Sequence, residues 1–293
     1  MAIHSNSWTT WPAPAKLNLF LHIVGRRADG YHLLQSVFQL LDWGDDVQLR
    51  VRTDGLIERS DDGFDMPEGR DLCLRAARAL RRHTRADSGA GIRLRKRIPV
   101  GGGLGGGSSD AATVLVALNE LWNTGLQIDE LAAIGIELGA DVPVFIHGRS
   151  AWAEGVGERL TAIAIPPRDY VIVDPGVAVA TALLFQAPEL TRNSPQTTIS
   201  GYLFGSSVET VNAFEPVVRA RYPQVAAALD WLGRFGKARL TGSGGCVFAE
   251  VESTQVAEEI VSQCPREFST YRARGVAESP LRVAVARFRA DSR

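Results

Sequence analysis

Residues 17–24 are almost unbroken in apolar character and stop at Gly25, just ahead of the turn-forming Arg27-Ala28-Asp29-Gly30. Such a run predicts a buried strand. Val47, Leu49 and Val51 alternate with polar neighbours, the period of a half-buried strand. Residues 58–70 are rich in Asp and Gly and predict a surface loop. Residues 71–85 carry Leu72, Ala76, Ala79 and Leu80 at helical spacing, with Arg75, Arg78, Arg82 and Arg85 on a second stripe. Ile92 and Leu94 alternate with Arg93 and Arg95, so 91–100 predicts a strand that feeds a glycine run. The helix predicted over 111–122 is apolar nearly all round and belongs in the core. Another follows over 129–138, closed by Gly139. From about 169 the texture changes: a short strand over 170–173, a polar stretch over 191–207 expected to be a mobile loop, then alternating helices and strands. The expected boundary lies near 160, giving domains 1–160 and 161–293.

Composition narrows the function classes. Hydrophobic residues are 45% and charged residues 22% of 293, a packed two-domain protein. A formal net charge of -1 gives no pointer to nucleic acid or an anionic membrane. The arginine stripe could grip phosphate or nucleic acid but reads more simply as a solvated helix face, and no nucleic-acid partner is expected. Cys73, Cys246 and Cys264 show no ligand spacing and predict free thiols in a reducing compartment. The start, with Trp8 and Trp11, lacks the pattern of a secretory signal, and the longest apolar stretch, 111–118, falls short of the roughly 20 residues that span a bilayer. A cytoplasmic enzyme without membrane association is the expectation.

The most informative segment is Pro99-Val100-Gly101-Gly102-Gly103-Leu104-Gly105-Gly106-Gly107-Ser108-Ser109-Asp110. Six glycines in seven positions are costly to order, and they let a ligand approach main-chain N–H groups. Converging amides at the start of a helix make an anion site. Three architectures compete. Gly101, Gly103 and Gly106 fit the dinucleotide pattern G-x-G-x-x-G, but the acid expected about 20 residues on is lacking, since Glu120 falls within a helix. Gly102, Gly107 and Ser109 nearly fit a Walker A loop, but Ser108 stands where that loop needs lysine. A phosphate cation would then come from Lys16 or Lys96. The third architecture, a loop running into a buried helix, needs neither the lysine nor the acid.

The motifs together resemble the GHMP kinases. Pro14-Ala15-Lys16-Leu17-Asn18-Leu19 is similar to their first motif, 99–112 to their second, and Leu240-Thr241-Gly242-Ser243-Gly244-Gly245-Cys246-Val247-Phe248 to their third. Arg26-Arg27-Ala28-Asp29-Gly30-Tyr31-His32, Gly139-Ala140-Asp141-Val142-Pro143 and Asn212-Ala213-Phe214-Glu215 resemble the member that phosphorylates the 2-hydroxyl of a cytidine-diphosphate sugar alcohol in isoprenoid precursor synthesis. The similarity runs in order from about 12 to about 250. It implies an α+β, two-domain GHMP kinase fold, with an N-terminal α/β domain like one of a small-subunit ribosomal protein and a C-terminal ferredoxin-like domain. It also implies ATP as phosphoryl donor, Mg²⁺, and a monomer or homodimer. Two rivals stay open: a GHMP kinase for homoserine or a mevalonate derivative, and a non-catalytic ATP-binding homologue. Asp71 departs from the family's common Asn, and Thr241 from a common Ser.

Each candidate has a plainer alternative. Asp141, between Gly139 and Pro143, suits a helix N-cap as well as a base; the resemblance implies that it accepts the hydroxyl proton. Lys16 suits a snorkelling strand-end lysine; the resemblance implies a catalytic charge beside the acceptor hydroxyl and Asp141. Asn18, two residues on, shares its strand face and is expected near substrate. The resemblance implies that Tyr31 stacks on cytosine and His32 hydrogen-bonds it. Phe185 is an expected second aromatic wall, with Thr181 a weaker neighbour. The run from Pro99 to Ser109 is expected to hold the ATP phosphates, with Ser108, Ser109 and Asp110 also suited to cap the helix. Cys246 is expected to be a packing residue.

Overall fold

The computed structural model describes residues 7–60, 67–205 and 207–292. The first two strands, β1 (Thr9–Arg26) and β2 (His32–Arg52), form one long antiparallel ribbon. β1 is longer than the apolar run because it also takes in Pro12 and Pro14. Among the described residues β2 is its one strand partner, its other pairing being an isolated bridge from Leu21 to Asn212. A missing N–H on the other side at Pro12 or Pro14 therefore breaks no ladder. The register shifts between Pro14 and Lys16 and between Asn18 and Leu21. Bulges of this kind re-aim side chains, and here they flank the two polar residues that sequence marks as functional.

β3 (Ile57–Arg59), α1 (Leu72–Thr84), β4 (Gly89–Arg95), α2 (Gly106–Leu121), α3 (Ile128–Ile136), α4 (Val142–His147), β5 (Ala151–Glu154) and β6 (Arg159–Ala162) complete the first half. The sheet order is β3-β4-β2-β5-β6, with β1 added on β2. α1 starts where Asp71 Oδ1 accepts from the Cys73 and Leu74 amides at 2.8 and 3.1 Å. Its expected apolar stripe is buried apart from the half-buried Leu72. The middle of α2, from Ser109 to Asn119, is buried throughout, as its lack of a polar face requires.

The second half carries β7 (Asp169–Asp174), α5 (Thr181–Gln186), α6 (Ile199–Phe204), α7 (Glu215–Arg221), α8 (Pro223–Leu232), β8 (Arg239–Leu240), β9 (Val247–Val251), α9 (Thr254–Ser262) and β10 (Ser269–Arg274). Its sheet is antiparallel in the order β10-β7-β9-β8. This β-α-β-β-α-β succession, with helices standing in each α position, is the ferredoxin-like arrangement. α10 (Pro280–Asp291) returns to the first core, where Leu281 is buried and Phe288 meets Trp11 at 5.2 Å between ring centres. The segment expected to be mobile over 191–207 instead carries α6. It is pinned to the strands by Ser194 N–H on the Ile23 carbonyl (2.8 Å) and by Gln35 exchanging hydrogen bonds with Thr197. Residues 61–66 of the expected surface loop lie outside the described residues.

Between the two sheets, Leu17, Phe20, Ile98 and Leu104 pack with Tyr170, Ile172, Cys246 and Phe248. Phe248 is 1% exposed and touches Tyr170 edge-on. Truncating it removes a large buried ring and leaves a cavity that the two sheets cannot easily close. Phe248→Ala should therefore lower stability by about 3–5 kcal/mol, read from the midpoint of urea unfolding.

Candidate active site

The glycine run crosses from β4 to α2 with its backbone in the left-handed region at Gly101 (φ 75°), Gly103 (φ 80°) and Gly105 (φ 74°). A Cβ on Gly103 would lie 2.1 Å from the Thr241 carbonyl oxygen, and one on Gly244 would lie 1.9 Å from the Gly103 nitrogen. The second and third motifs thus touch backbone to backbone. The Gly245 and Cys246 amides donate to the Gly101 and Gly102 carbonyls at 3.3 and 3.1 Å. Gly105 is the N-cap of α2, so the helix begins before Ser108, Ser109 and Asp110. These three sit inside its first turns and do not cap it: a left-handed glycine lets the chain turn into the helix three residues earlier than a side-chain cap would. The Gly106, Gly107 and Ser108 amides have no acceptor within the helix, and with the aligned peptide dipoles they favour an anion there.

β1 delivers Lys16 to this loop. Its backbone N–H donates to the Leu104 carbonyl at 3.0 Å, and its buried Nζ donates to the Gly103 carbonyl at 2.9 Å and to Asn18 Oδ1. Asn18 in turn donates through Nδ2 to Ser36 Oγ (2.7 Å) and through its amide to Thr241 Oγ1 (3.0 Å). Asp141 occupies the residue before α4, yet its carboxylate takes no cap hydrogen bond. It pairs instead with Lys16 Nζ at 3.6 Å and remains 35% exposed. Burial pushes the Lys16 pKa below its ordinary value, and the Asp141 charge opposes that shift only in part.

Lys96, the other cation suggested by sequence, is held between two carboxylates. It donates to Asp45 Oδ2 and to Asp110 Oδ2, the latter at 2.8 Å. Asp45 also accepts the Ile98 amide at 2.8 Å and the Arg97 amide, which fixes the approach to the glycine run. Burial pushes Asp110 up to about 7, against the pull of Lys96. Burial is the main cause, and the neighbouring Asp45 carboxylate adds to it. The Ser109 hydroxyl and Asp110 Oδ1 are buried and without a hydrogen-bond partner among the described residues. Asp71, the departure noted in sequence, spends one oxygen on the α1 cap and the other on Arg59 at 2.8 Å.

Two cavities meet at the glycine run. One, of about 290 Å³, is lined by Asp71, Lys96 and the segment from Pro99 to Ser108. The other, of about 360 Å³, is lined by Lys16, Asn18, Asp141, Thr181, Phe185 and Ser243 among others. Gly103, Gly105 and Ser108 line both. Ser109 lines neither. The Phe185 ring stacks on His32 (4.8 Å between centres, 22° between planes) and meets Phe214 edge-on at 4.9 Å. Tyr31 stands apart in the β1–β2 turn, 64% exposed. Sequence reasoning passed over Ser36, the Asn212 side chain that donates to the Leu240 and Gly242 carbonyls (2.9 and 2.8 Å), and Arg192. Asn212 lay in a quoted motif, which was its only signal; nothing near Arg192 marks it.

The Lys96 cluster gives a pH test. Below 3.8 the Asp110 carboxyl is protonated in both folded and unfolded chains; between 3.8 and about 7 only the folded chain keeps the proton. Its contribution to stability therefore falls as pH rises through that window. Asp110→Asn should flatten the loss of thermal stability between about pH 5 and 7, measured as melting temperature against pH beside the parent.

Comparisons with known proteins agree with this layout. Residues 71–149 match the model of the GHMP kinases N terminal domain, and 199–270 that of the GHMP kinases C terminal. The chain is 55% identical over 284 residues to the 4-diphosphocytidyl-2-C-methyl-D-erythritol kinase of Xanthomonas campestris pv. campestris (strain B100), covering 96% of this chain and 95% of the relative. It is 52% identical to the enzyme of that name from Aromatoleum aromaticum (strain DSM 19018 / LMG 30748 / EbN1), covering 92% and 94%. A crystal structure of 4-(cytidine 5'-diphospho)-2C-methyl-D-erythritol kinase superposes with a TM-score of 0.78 at 32% identity, over 92% of this chain and 100% of that one. The chain belongs to the 4-diphosphocytidyl-2-C-methyl-D-erythritol kinase family of the GHMP kinases.

Proposed function

We propose that this protein transfers the γ-phosphate of ATP to the 2-hydroxyl of 4-diphosphocytidyl-2-C-methyl-D-erythritol, releasing ADP and the 2-phosphate, in isoprenoid precursor synthesis that does not pass through mevalonate. One observation carries the reading: two cavities share Gly103, Gly105 and Ser108, and the Lys16–Asp141 pair opens onto only one of them. The nucleotide takes the cavity lined by the glycine run, with its phosphates against the Gly106 to Ser108 amides. The acceptor takes the other, with its hydroxyl at Asp141.

Asp141 Oδ accepts the hydroxyl proton as the acceptor oxygen forms its bond to the γ-phosphorus and the bond to the β-phosphate oxygen breaks. Lys16 pairs with Asp141 and lowers the cost of negative charge on the attacking oxygen. Its ammonium is held in place by the Gly103 carbonyl and Asn18, so little reorganisation accompanies the reaction. The base end of the acceptor lies toward Phe185, which lines that cavity; His32 does not line it but stacks on Phe185, and Tyr31 stands exposed in the adjoining turn.

Among the described residues no three His, Cys, Asp or Glu side chains cluster as a metal cage. The oxygens of Ser108 and Asp141 beside the shared rim fit Mg²⁺, which is held by one or two protein groups and substrate phosphates. When bound, Mg²⁺ supplies neutralisation of phosphate charge. The balanced charge supports a small-molecule partner and no nucleic acid, and the unpaired Cys73, Cys246 and Cys264 support a cytoplasmic setting. No helix among the described residues is long and apolar enough to cross a membrane. We also propose the domain boundary close to 160, where β6 ends the first sheet and β7 starts the second, with α10 packing back on the first domain.

The test is phosphorylation of 4-diphosphocytidyl-2-C-methyl-D-erythritol by purified protein with ATP, compared with homoserine and mevalonate as acceptors. Asp141→Asn should slow turnover by about 10²- to 10⁴-fold while ATP affinity stays near the parent value. Turnover near the parent rate in Asp141→Asn would remove Asp141 from the role of base.

A further inference from the structure

Arg192 follows α5 and carries no motif, yet its guanidinium has four partners. Nη1 donates to the Leu190 carbonyl at 3.0 Å, and Nη2 to the Phe185 and Ala187 carbonyls at 3.0 and 2.8 Å. Two of these acceptors lie at the carboxyl end of α5, where helix carbonyls lack amide partners. Nε points at His32 Nε2, 3.3 Å away. One side chain therefore holds the backbone of Phe185 and the ring of His32, and those two rings are the ones stacked on each other.

The contact with His32 has a definite chemical sense. A guanidinium has donors only and keeps its protons at all relevant pH. His32 Nε2 must then offer its lone pair, which places the single ring proton of neutral imidazole on Nδ1. A charged imidazolium would present an N–H to an N–H beside a cation. In accord with this, burial lowers the His32 pKa, with Arg192 and then Arg26 of β1 adding to the shift.

We infer that Arg192 is a positioning residue for pyrimidine recognition: it locks His32 as the Nδ1–H tautomer, so the ring presents a donor to the acceptor edge of cytosine. The inference rests on the reading of the second cavity as the cytidine-diphosphate site. Cytosine carries acceptors at N3 and O2, whereas uracil carries an N–H at N3. A fixed donor on His32 therefore pairs with cytosine N3 and opposes uracil N3. Set with the wrong tautomer, the same ring would lose that preference. A donor set against a donor disfavours the uridine acceptor, and a preference of about tenfold is expected.

The experiment has two arms. In the first, nitrogen NMR of the ligand-free protein reads the His32 tautomer, with its signal assigned by loss in His32→Gln. Nδ1–H is expected in the parent, and a mixed or Nε2–H population in Arg192→Met and Arg192→Lys. Lysine is also a donor without acceptors but lacks the planar fork that the three carbonyls hold, so rescue by lysine would mean that an unanchored donor suffices and would overturn the inference. In the second arm, the KM for the cytidine-diphosphate acceptor should rise about tenfold in Arg192→Met. The preference for it over its uridine analogue should narrow, with kcat and the KM for ATP little changed. An Nε2–H ring in the parent, or an unchanged tautomer and preference in both variants, overturns the inference. Equal use of cytidine and uridine acceptors by the parent overturns instead the reading of the cavity on which its ligand half depends.

Discussion

The Lys16 ammonium, 3% exposed, lies at the junction of three segments that are far apart in sequence. It donates to the Gly103 carbonyl of the glycine loop, contacts Asn18 of its own strand, and pairs with Asp141 at the start of α4. A buried charge is tolerated only where such partners are supplied, so the loop, the strand and the helix start must come together for any of them to sit comfortably. The bulges that flank residues 16–18 of β1 turn Lys16 and Asn18 toward the loop. The contact between Gly103 and Gly244 then sets the distance between the second and third motifs. The amide-rich helix start and the Lys16–Asp141 pair end up on neighbouring sides of one thin backbone wall.

That wall explains why so many glycines are needed. Gly103 and Gly105 take backbone angles that a side chain would resist, and Gly244 leaves no room for a Cβ against Gly103. Part of the glycine content thus serves protein–protein packing, and part leaves amides open to phosphate. With only Gly103, Gly105 and Ser108 between the cavities, a phosphoryl group has a short path from one to the other.

Much of this was legible in the chain, for physical reasons that differ by element. The all-round apolar helix, now α2, and α1 follow from local periodicity, whereas the Asp71 cap of α1 comes from the structure. Lys16 and Asp141 were legible through their motifs; at Asp141 the carboxylate meets Lys16 and takes no cap bond, which supports the proposed role over the plainer one. The start of α2 was misplaced because glycines at 105–107 read as loop, while a left-handed Gly105 in fact opens the helix. The ordering of 191–205 was hidden because its anchors, Gln35 and the Ile23 carbonyl, lie about 160 to 170 residues away. Arg192 was invisible for another reason: three of its four bonds are to nearby carbonyls, which leave no trace in residue type.

Two cavities meeting at one loop require that both substrates be present together and that phosphate pass directly between them. The stereochemistry of transfer tests this most directly, using ATP made chiral at the γ-phosphorus and the cytidine-diphosphate acceptor. A single in-line displacement predicts inversion of configuration at phosphorus. Retention would mean two displacements through a phosphorylated protein side chain, and would contradict the account.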